Sequence, residues 1–183
     1  VIAGLVRSPM GVFQSLYEEG AKKRWNMPKE ADIAECKATA IDPFFLEETQ
    51  AAAELCVKHN KPFVTIDSRH DSYLHQHCEI NVVSKECTGC EGYRDMSIEE
   101  IYQILTDTTE GLVIITRGEK DMIYGRKGQP MKSMKPFYVE VKSTLGAGDT
   151  FKAGCVYGLL KGMTDDEIVR FASACSAIAI SRF

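Results

Sequence analysis

From Lys37 onward, short apolar runs of strand character alternate with longer helical patterns, and this alternation narrows the folds open to the chain. KATAID (37–42) reads as a short strand ended by Pro43. Leu46 to His59 follows with Leu46, Ala53 and Cys56 or Val57 at helical spacing, acids in its first turn and bases in its last. PFVTID (62–67) and EINVVS (79–84) read as buried strands. SIEEIYQILTD (97–107) opens with a Ser-x-x-Glu capping box formed by Ser97 and Glu100. GLVIIT (111–116) is the most strand-like run, and β segments are expected near Met122–Gly125 and Phe137–Val141. Two helices close the chain around Gly162, the second with Thr164 as N-cap and Asp165, Asp166 and Glu167 in its first turn. Such alternation builds βαβ units and so an α/β fold with a mostly parallel sheet. Ligands in these sheets sit beyond the carboxyl ends of the strands.

Composition closes off several function classes. The 183 residues are 44% hydrophobic and 26% charged, enough for a sizeable core. A formal charge of −4 argues against a nucleic-acid partner held by phosphate contacts. No apolar run reaches membrane-spanning length, and no signal-peptide pattern is visible. The seven cysteines are scattered and odd in number, which fits reduced thiols in a cytoplasmic protein.

Residues 143–154, STLGAGDTFKAG, carry the chemistry. Gly146, Ala147 and Gly148 run into Asp149, and a small-residue helix follows, expected from about Thr150 to Lys161. Glycines at a helix start leave backbone N–H groups bare, and the dipole adds positive potential, so the turn suits an anion. A carboxylate in the same turn supplies a base beside that anion site, the pair that phosphoryl transfer to an alcohol requires. The run lacks the Gly-Lys-Ser/Thr of a Walker A loop and the third glycine of a dinucleotide fingerprint. Read without further context, it is also compatible with a Gly-rich N-cap in which Asp149 only caps.

The run Ser143-Thr144-Leu145-Gly146-Ala147-Gly148-Asp149-Thr150-Phe151 resembles the D-T-x-G-A-G-D-x-F signature of the ribokinase-like (pfkB) carbohydrate kinases. Ser143 departs from it, standing where the family has Asp. The resemblance covers about Cys36 to Phe183 and implies a three-layer α/β/α fold, with residues 1–35 unassigned and 36–183 forming the nucleotide-binding core. It also implies ATP and Mg²⁺ as cofactors and a small sugar as substrate. Asp149 is then the catalytic base, and the loop of Gly146, Ala147, Gly148 and Asp149 forms the anion hole through the N–H groups of Ala147, Gly148 and Asp149, with Thr144 beside the nucleotide. In many relatives a monovalent cation lies behind this loop, partly held by the Asp; Ser143 removes that charge and argues against potassium activation.

Three further segments fall just past strands. Thr116-Arg117-Gly118 resembles the family's T-x-G-x-x-G at the nucleotide site, with Asp121 where the second glycine is usual. Alone, such a sequence is a common turn. Ser84-Lys85-Glu86 stands where many relatives have N-x-x-E, with Cys87 at the place of that Glu. The Ser-Lys-acid form is closest to ketohexokinase-like members and implies Lys85 on ATP phosphates and Glu86 acting through water on Mg²⁺; a helix start with a solvated charge pair is the competing account. Asp67-Ser68-Arg69 resembles a shortened D-x-N-x-R, a pattern that more often pins a loop, and is left out of the site. His75, His77, Cys78, Cys87 and Cys90 have ligand-like residue types, but their spacing is irregular and no second Cys-x-x-Cys exists, so no metal site is expected.

The resemblance implies a parent of roughly three hundred residues, about two domains' length. The family's opening strands, most of its sugar contacts and its small β-lid are not recognisable here. The chain starts at Val1 without a methionine, and it is read as a fragment expected to be inactive alone. A homodimer through that lid is one assembly the resemblance allows. Two alternatives stay open: a non-catalytic nucleotide- or sugar-binding sensor with a kinase fold, and a nucleoside or vitamin kinase. No membrane or nucleic-acid partner is expected.

Overall fold

A computed structural model describes residues 26–90 and 92–182. The first described helix, α1 (Glu30–Glu35), leads into strand β1 (Thr39–Ile41). A 3-10 turn at Pro43–Phe45 then opens α2 (Leu46–Lys58). Next come β2 (Phe63–Ile66), α3 (Tyr73–His77), β3 (Ile80–Val83), α4 (Lys85–Thr88) and α5 (Ile98–Asp107). The chain continues through β4 (Leu112–Arg117), β5 (Lys120–Gly125), β6 (Lys132–Met134), α6 (Ala147–Leu160) and α7 (Asp165–Ile180). The expectation for residues 1–25 lies outside the described residues.

The six strands form one sheet in the order β1-β2-β3-β4-β5-β6. β1 to β4 are parallel, and β5 and β6 add antiparallel. The parallel strands read as mostly apolar runs, broken only by the buried polar Thr65 and Asn81 in β2 and β3, because both faces are covered: every residue of β2 and β3 is buried. Alternate side chains then serve two cores. Val64, Ile66, Ile80, Val82, Leu112 and Ile114 face α6 and α7 through Phe151, Cys155, Ile168 and Ala172. On the opposite face Val83, Val113 and Ile115 meet Ile101 and Leu105 of α5. That face continues as Ile41 and Phe63 under Ala53 and Cys56 of α2 and Leu74 of α3. The result is the expected α/β/α sandwich.

Helix ends follow the capping signals. Ser97 and Glu100 make a reciprocal capping box on α5, and Thr164 and Glu167 make another on α7. The strand expected near Phe137–Val141 is not formed. Lys132–Met134 takes the sheet-edge position instead, with Met122 opposite Met134 and Tyr124 opposite Lys132. The alternating FYVEV run therefore has no partner strand among the described residues, and Tyr138 and Val141 are exposed.

Candidate active site

The parallel strands end together, and each hands its next polar residue to one rim of the sheet. Asp42 follows β1, Asp67 follows β2, Ser84 follows β3, and Thr116 lies at the end of β4. Asp67 turns back with φ of 50°, a left-handed value that aspartate tolerates better than most residues. Its carboxylate accepts the Ser84 N–H at 2.6 Å on Oδ1 and the Ser84 hydroxyl at 3.1 Å on Oδ2, tying the ends of β2 and β3. Burial pushes the Asp67 carboxyl above the usual carboxylate range, against the pull of the two Ser84 hydrogen bonds.

Helix α6 starts at this rim. Gly146 is its N-cap, in the left-handed conformation with φ of 76°, so the cap is a backbone turn with no side-chain hydrogen bond. The helix thus begins at Ala147, three residues earlier than expected, and Asp149 falls inside its first turn. Of the three N–H groups there, Ala147 donates to the Thr144 carbonyl at 3.2 Å. Those of Gly148 and Asp149 have no partner among the described residues. The anion-binding capacity therefore rests on Gly148 and Asp149 rather than on all three. The loop before the helix is held from behind: Lys142 and Ser143 N–H groups donate to the Ile180 carbonyl, and the Ser176 hydroxyl donates to the Ala147 carbonyl at 3.1 Å. The Ser143 hydroxyl accepts the Leu145 N–H at 3.2 Å, so it braces its own loop.

Asp149 is open to solvent, with its side chain 79% exposed. Lys152, one turn on, is the opposite case: its side chain is 9% exposed, and its ammonium lies against Asp42 Oδ1 and 3.8 Å from Asp149 Oδ1. The helix is docked on β2 at this point, since a Cβ on Gly148 would come 3.2 Å from Ile66 Cδ1.

The remaining expected residues lie around the same rim. The Thr116 hydroxyl donates to the Val83 carbonyl at 3.4 Å. Gly118 has φ of 65° in the two-residue hairpin whose flanking pair is Arg117 and Lys120. That geometry is a II′ turn, for which glycine at the first central position is the structural requirement. Lys85 and Glu86 open α4, both exposed, with Ser84 as N-cap accepting the Cys87 N–H. Thr144 is exposed. Arg69 pairs with Asp71, not Asp67, in the loop after β2.

Sequence reasoning missed Asp42 and Lys152 and set Asp67 aside. KATAID and PFVTID end alike in Ile-Asp, which was the available signal for the two aspartates. The signal for Lys152 was a lysine next to Phe151 on a helix otherwise built of small and apolar residues.

The histidine–cysteine cluster is dispersed. His75 is fully buried, with Nε2 2.9 Å from the Leu105 carbonyl and Nδ1 2.7 Å from Asn81 Nδ2. The Cys87 thiol is pushed up to about 12 by burial, so it is a poor source of thiolate. All seven cysteines are free thiols. Among the described residues no group of three or more His, Cys, Asp or Glu could hold a metal ion, and no helix is long and apolar enough to cross a membrane.

This arrangement can be compared with known proteins. The family model described as pfkB family carbohydrate kinase matches residues 23–183. Ribokinase of Haemophilus influenzae is 35% identical over 95 residues, which are 52% of this chain and 31% of that protein. 1-Phosphofructokinase of the same organism is 35% identical over 101 residues, 54% of this chain and 32% of its own. These alignments thus take in about a third of each curated relative. Among solved structures, Arabidopsis thaliana ribokinase complexed with ribose and ATP superposes with a TM-score of 0.73 at 18% identity, over 86% of this chain and 55% of that one. Thermotoga maritima ribokinase gives 0.72 at 18%, over 85% and 54%. The structural neighbours share the fold, and the family model covers most of the chain, including the helix start that carries Asp149. On that ground the chain belongs to the pfkB family of carbohydrate kinases.

Proposed function

We propose that the protein is an ATP-dependent phosphotransferase that moves the γ-phosphoryl group of ATP to a hydroxyl of a small carbohydrate, with Asp149 as the base. One observation carries this reading: an exposed carboxylate shares a helix turn with two N–H donors that have no partner among the described residues, at the rim where the parallel strands end. The Gly148 and Asp149 N–H groups fit an anion, and they are supported by the helix dipole. Gly146 supplies the turn that bares them, and Ala147 and Thr144 close it through their mutual hydrogen bond. Thr116 and Gly118 line the nucleotide side, Lys85 offers a cation to phosphate, and Glu86 offers a carboxylate that reaches Mg²⁺ through water. ATP–Mg²⁺, when bound, supplies the phosphoryl group and the metal charge that offsets it. ATP and Mg²⁺ accompany a structural neighbour from Escherichia coli assigned as ribokinase II.

Asp149 would accept the proton of the attacking hydroxyl while the two N–H groups hold the migrating charge in place. Transfer of this kind depends on positioning more than on base strength. The relatives' names point to carbohydrate acceptors, and the Ser84–Glu86 segment keeps the ketohexokinase-like assignment within the proposal. Cytoplasmic location, supported by the free thiols, and dimerisation through a lid belong to the same proposal, as does the lack of a potassium requirement from Ser143.

The test is turnover by the full-length protein on a panel of hexoses, pentoses, sugar phosphates, sugar acids and nucleosides. Asp149→Asn is expected to lower kcat about 10²–10⁴-fold with little change in KM for ATP. A wild type that binds ATP and phosphorylates nothing would establish the sensor reading instead, and a variant that keeps most of its turnover would remove Asp149 from the role of base.

A further inference from the structure

Lys152 is the one buried lysine among the described residues, with its residue 7% exposed. An ammonium withdrawn from water is costly unless it is paired. Here two carboxylates from separate elements lie close to it, and a third senses its charge. Asp42 beyond β1 is in direct contact, Asp149 of its own helix is 3.8 Å away, and Asp67 beyond β2 feels its charge. The i, i+3 spacing puts Lys152 and Asp149 on one face of α6. Lys152 thereby links the base-bearing helix start to the end of β1. Without that ammonium, the Asp42 and Asp149 carboxylates, both within its reach, would be left as like charges near one another.

We propose that Lys152 is a positioning residue for the transfer step, an inference that rests on the reading of Asp149 as the base. Its ammonium is anchored on Asp42 and directs the Asp149 carboxylate toward the strand-end rim, where the acceptor hydroxyl must lie. Lys152 itself transfers no proton and touches no reacting atom. Its effect is therefore confined to kcat and exists only while residue 149 carries a carboxylate.

The experiment is a double-mutant cycle in the full-length protein, using the acceptor found in the panel above. Lys152→Met keeps most of the length of the unbranched side chain and removes the charge; Lys152→Arg keeps a cation. Lys152→Met is expected to lower kcat about 10–100-fold with KM for ATP within about twofold, and Lys152→Arg to recover most of that loss, as effects confined to the transition state require. In the Asp149→Asn background, Lys152→Met should change the residual single-turnover rate less than about twofold. Melting curves for all variants separate unfolding from lost positioning. Should Lys152→Met prove neutral while Asp149→Asn is dead, the positioning role fails and the base survives. Equal losses in both backgrounds, or a loss seen chiefly in KM for ATP, would make Lys152 a phosphate contact or a plain structural pair and overturn the proposal. An active Asp149→Asn variant would overturn both.

Discussion

Gly154→Ala isolates the contact that fixes where the base-bearing helix sits. Gly154 is buried on α6 four residues past Thr150, facing α7. A Cβ there would come 2.7 Å from Ala172 Cα and 3.1 Å from Ala172 Cβ. The nearer atom is backbone, so no rotamer change relieves it, and the helices must move apart. Overpacking of this kind costs about 1–3 kcal/mol, while replacing a mid-helix glycine by alanine returns up to about 1 kcal/mol. The net expectation is a loss of roughly 1–2 kcal/mol, read as a Tm lower by about 2–8 °C for a protein of this size. Differential scanning calorimetry of the full-length protein, with and without ATP, measures it. Adding Ala172→Gly should restore little, because the closest atom is Cα and stays in place. A Tm at or above wild type, or full recovery with Ala172→Gly, would refute the argument that backbone proximity of α6 and α7 holds the helix in position.

Two further outcomes follow from the same rim. Asp67→Asn should raise the Tm above pH 5, with the gap closing as the pH falls below about 4, where the aspartate is protonated even when unfolded. The sign follows from burial raising the folded-state carboxyl: its ionised form is a burden on the fold that appears as pH rises through the unfolded value and is absent below it. Asparagine keeps an oxygen for the Ser84 N–H and tolerates the φ of 50°, so a Tm–pH curve parallel to wild type would contradict this account. Gly118→Val should destabilise the β4–β5 hairpin by about 1–2 kcal/mol, since φ is 65° although a Cβ would meet nothing within 4 Å. Gly118→Asn should recover part of this; equal melting of Val and Asn variants would show that the backbone angle is not what glycine serves there.

The βαβ order was legible from Lys37 onward because both signals it depends on are local: short, mostly apolar runs, and capping residues beside the helices they start. Ser97 with Glu100 and Thr164 with Glu167 each act within four residues, so the sequence contains the whole interaction. The Phe137–Val141 expectation failed for the complementary reason. Its alternation of apolar and polar residues is a property of the segment, but a strand also needs a neighbour, and Lys132–Met134 had already paired with β5. At the rim the same division holds. The Gly146–Asp149 turn could be read because a helix start and its carboxylate are contiguous. Asp42 and Lys152 could not, because their contact spans 110 positions and joins a strand end to a helix face that only the sheet order brings together. A lysine in the run FKAGC is an anomaly in sequence and a paired ion in space. Gly118 shows the limit from the other side: its glycine was read for a nucleotide, and the II′ turn of the hairpin is sufficient to require it. A residue type at a strand end thus identifies a candidate, and only the partner that the fold supplies decides between chemistry and turn geometry. By that criterion Asp149 is the strongest candidate at the rim. Among the described residues its side chain makes no hydrogen bond that would explain its presence, its neighbouring donors are unpaired, and a buried cation lies behind it.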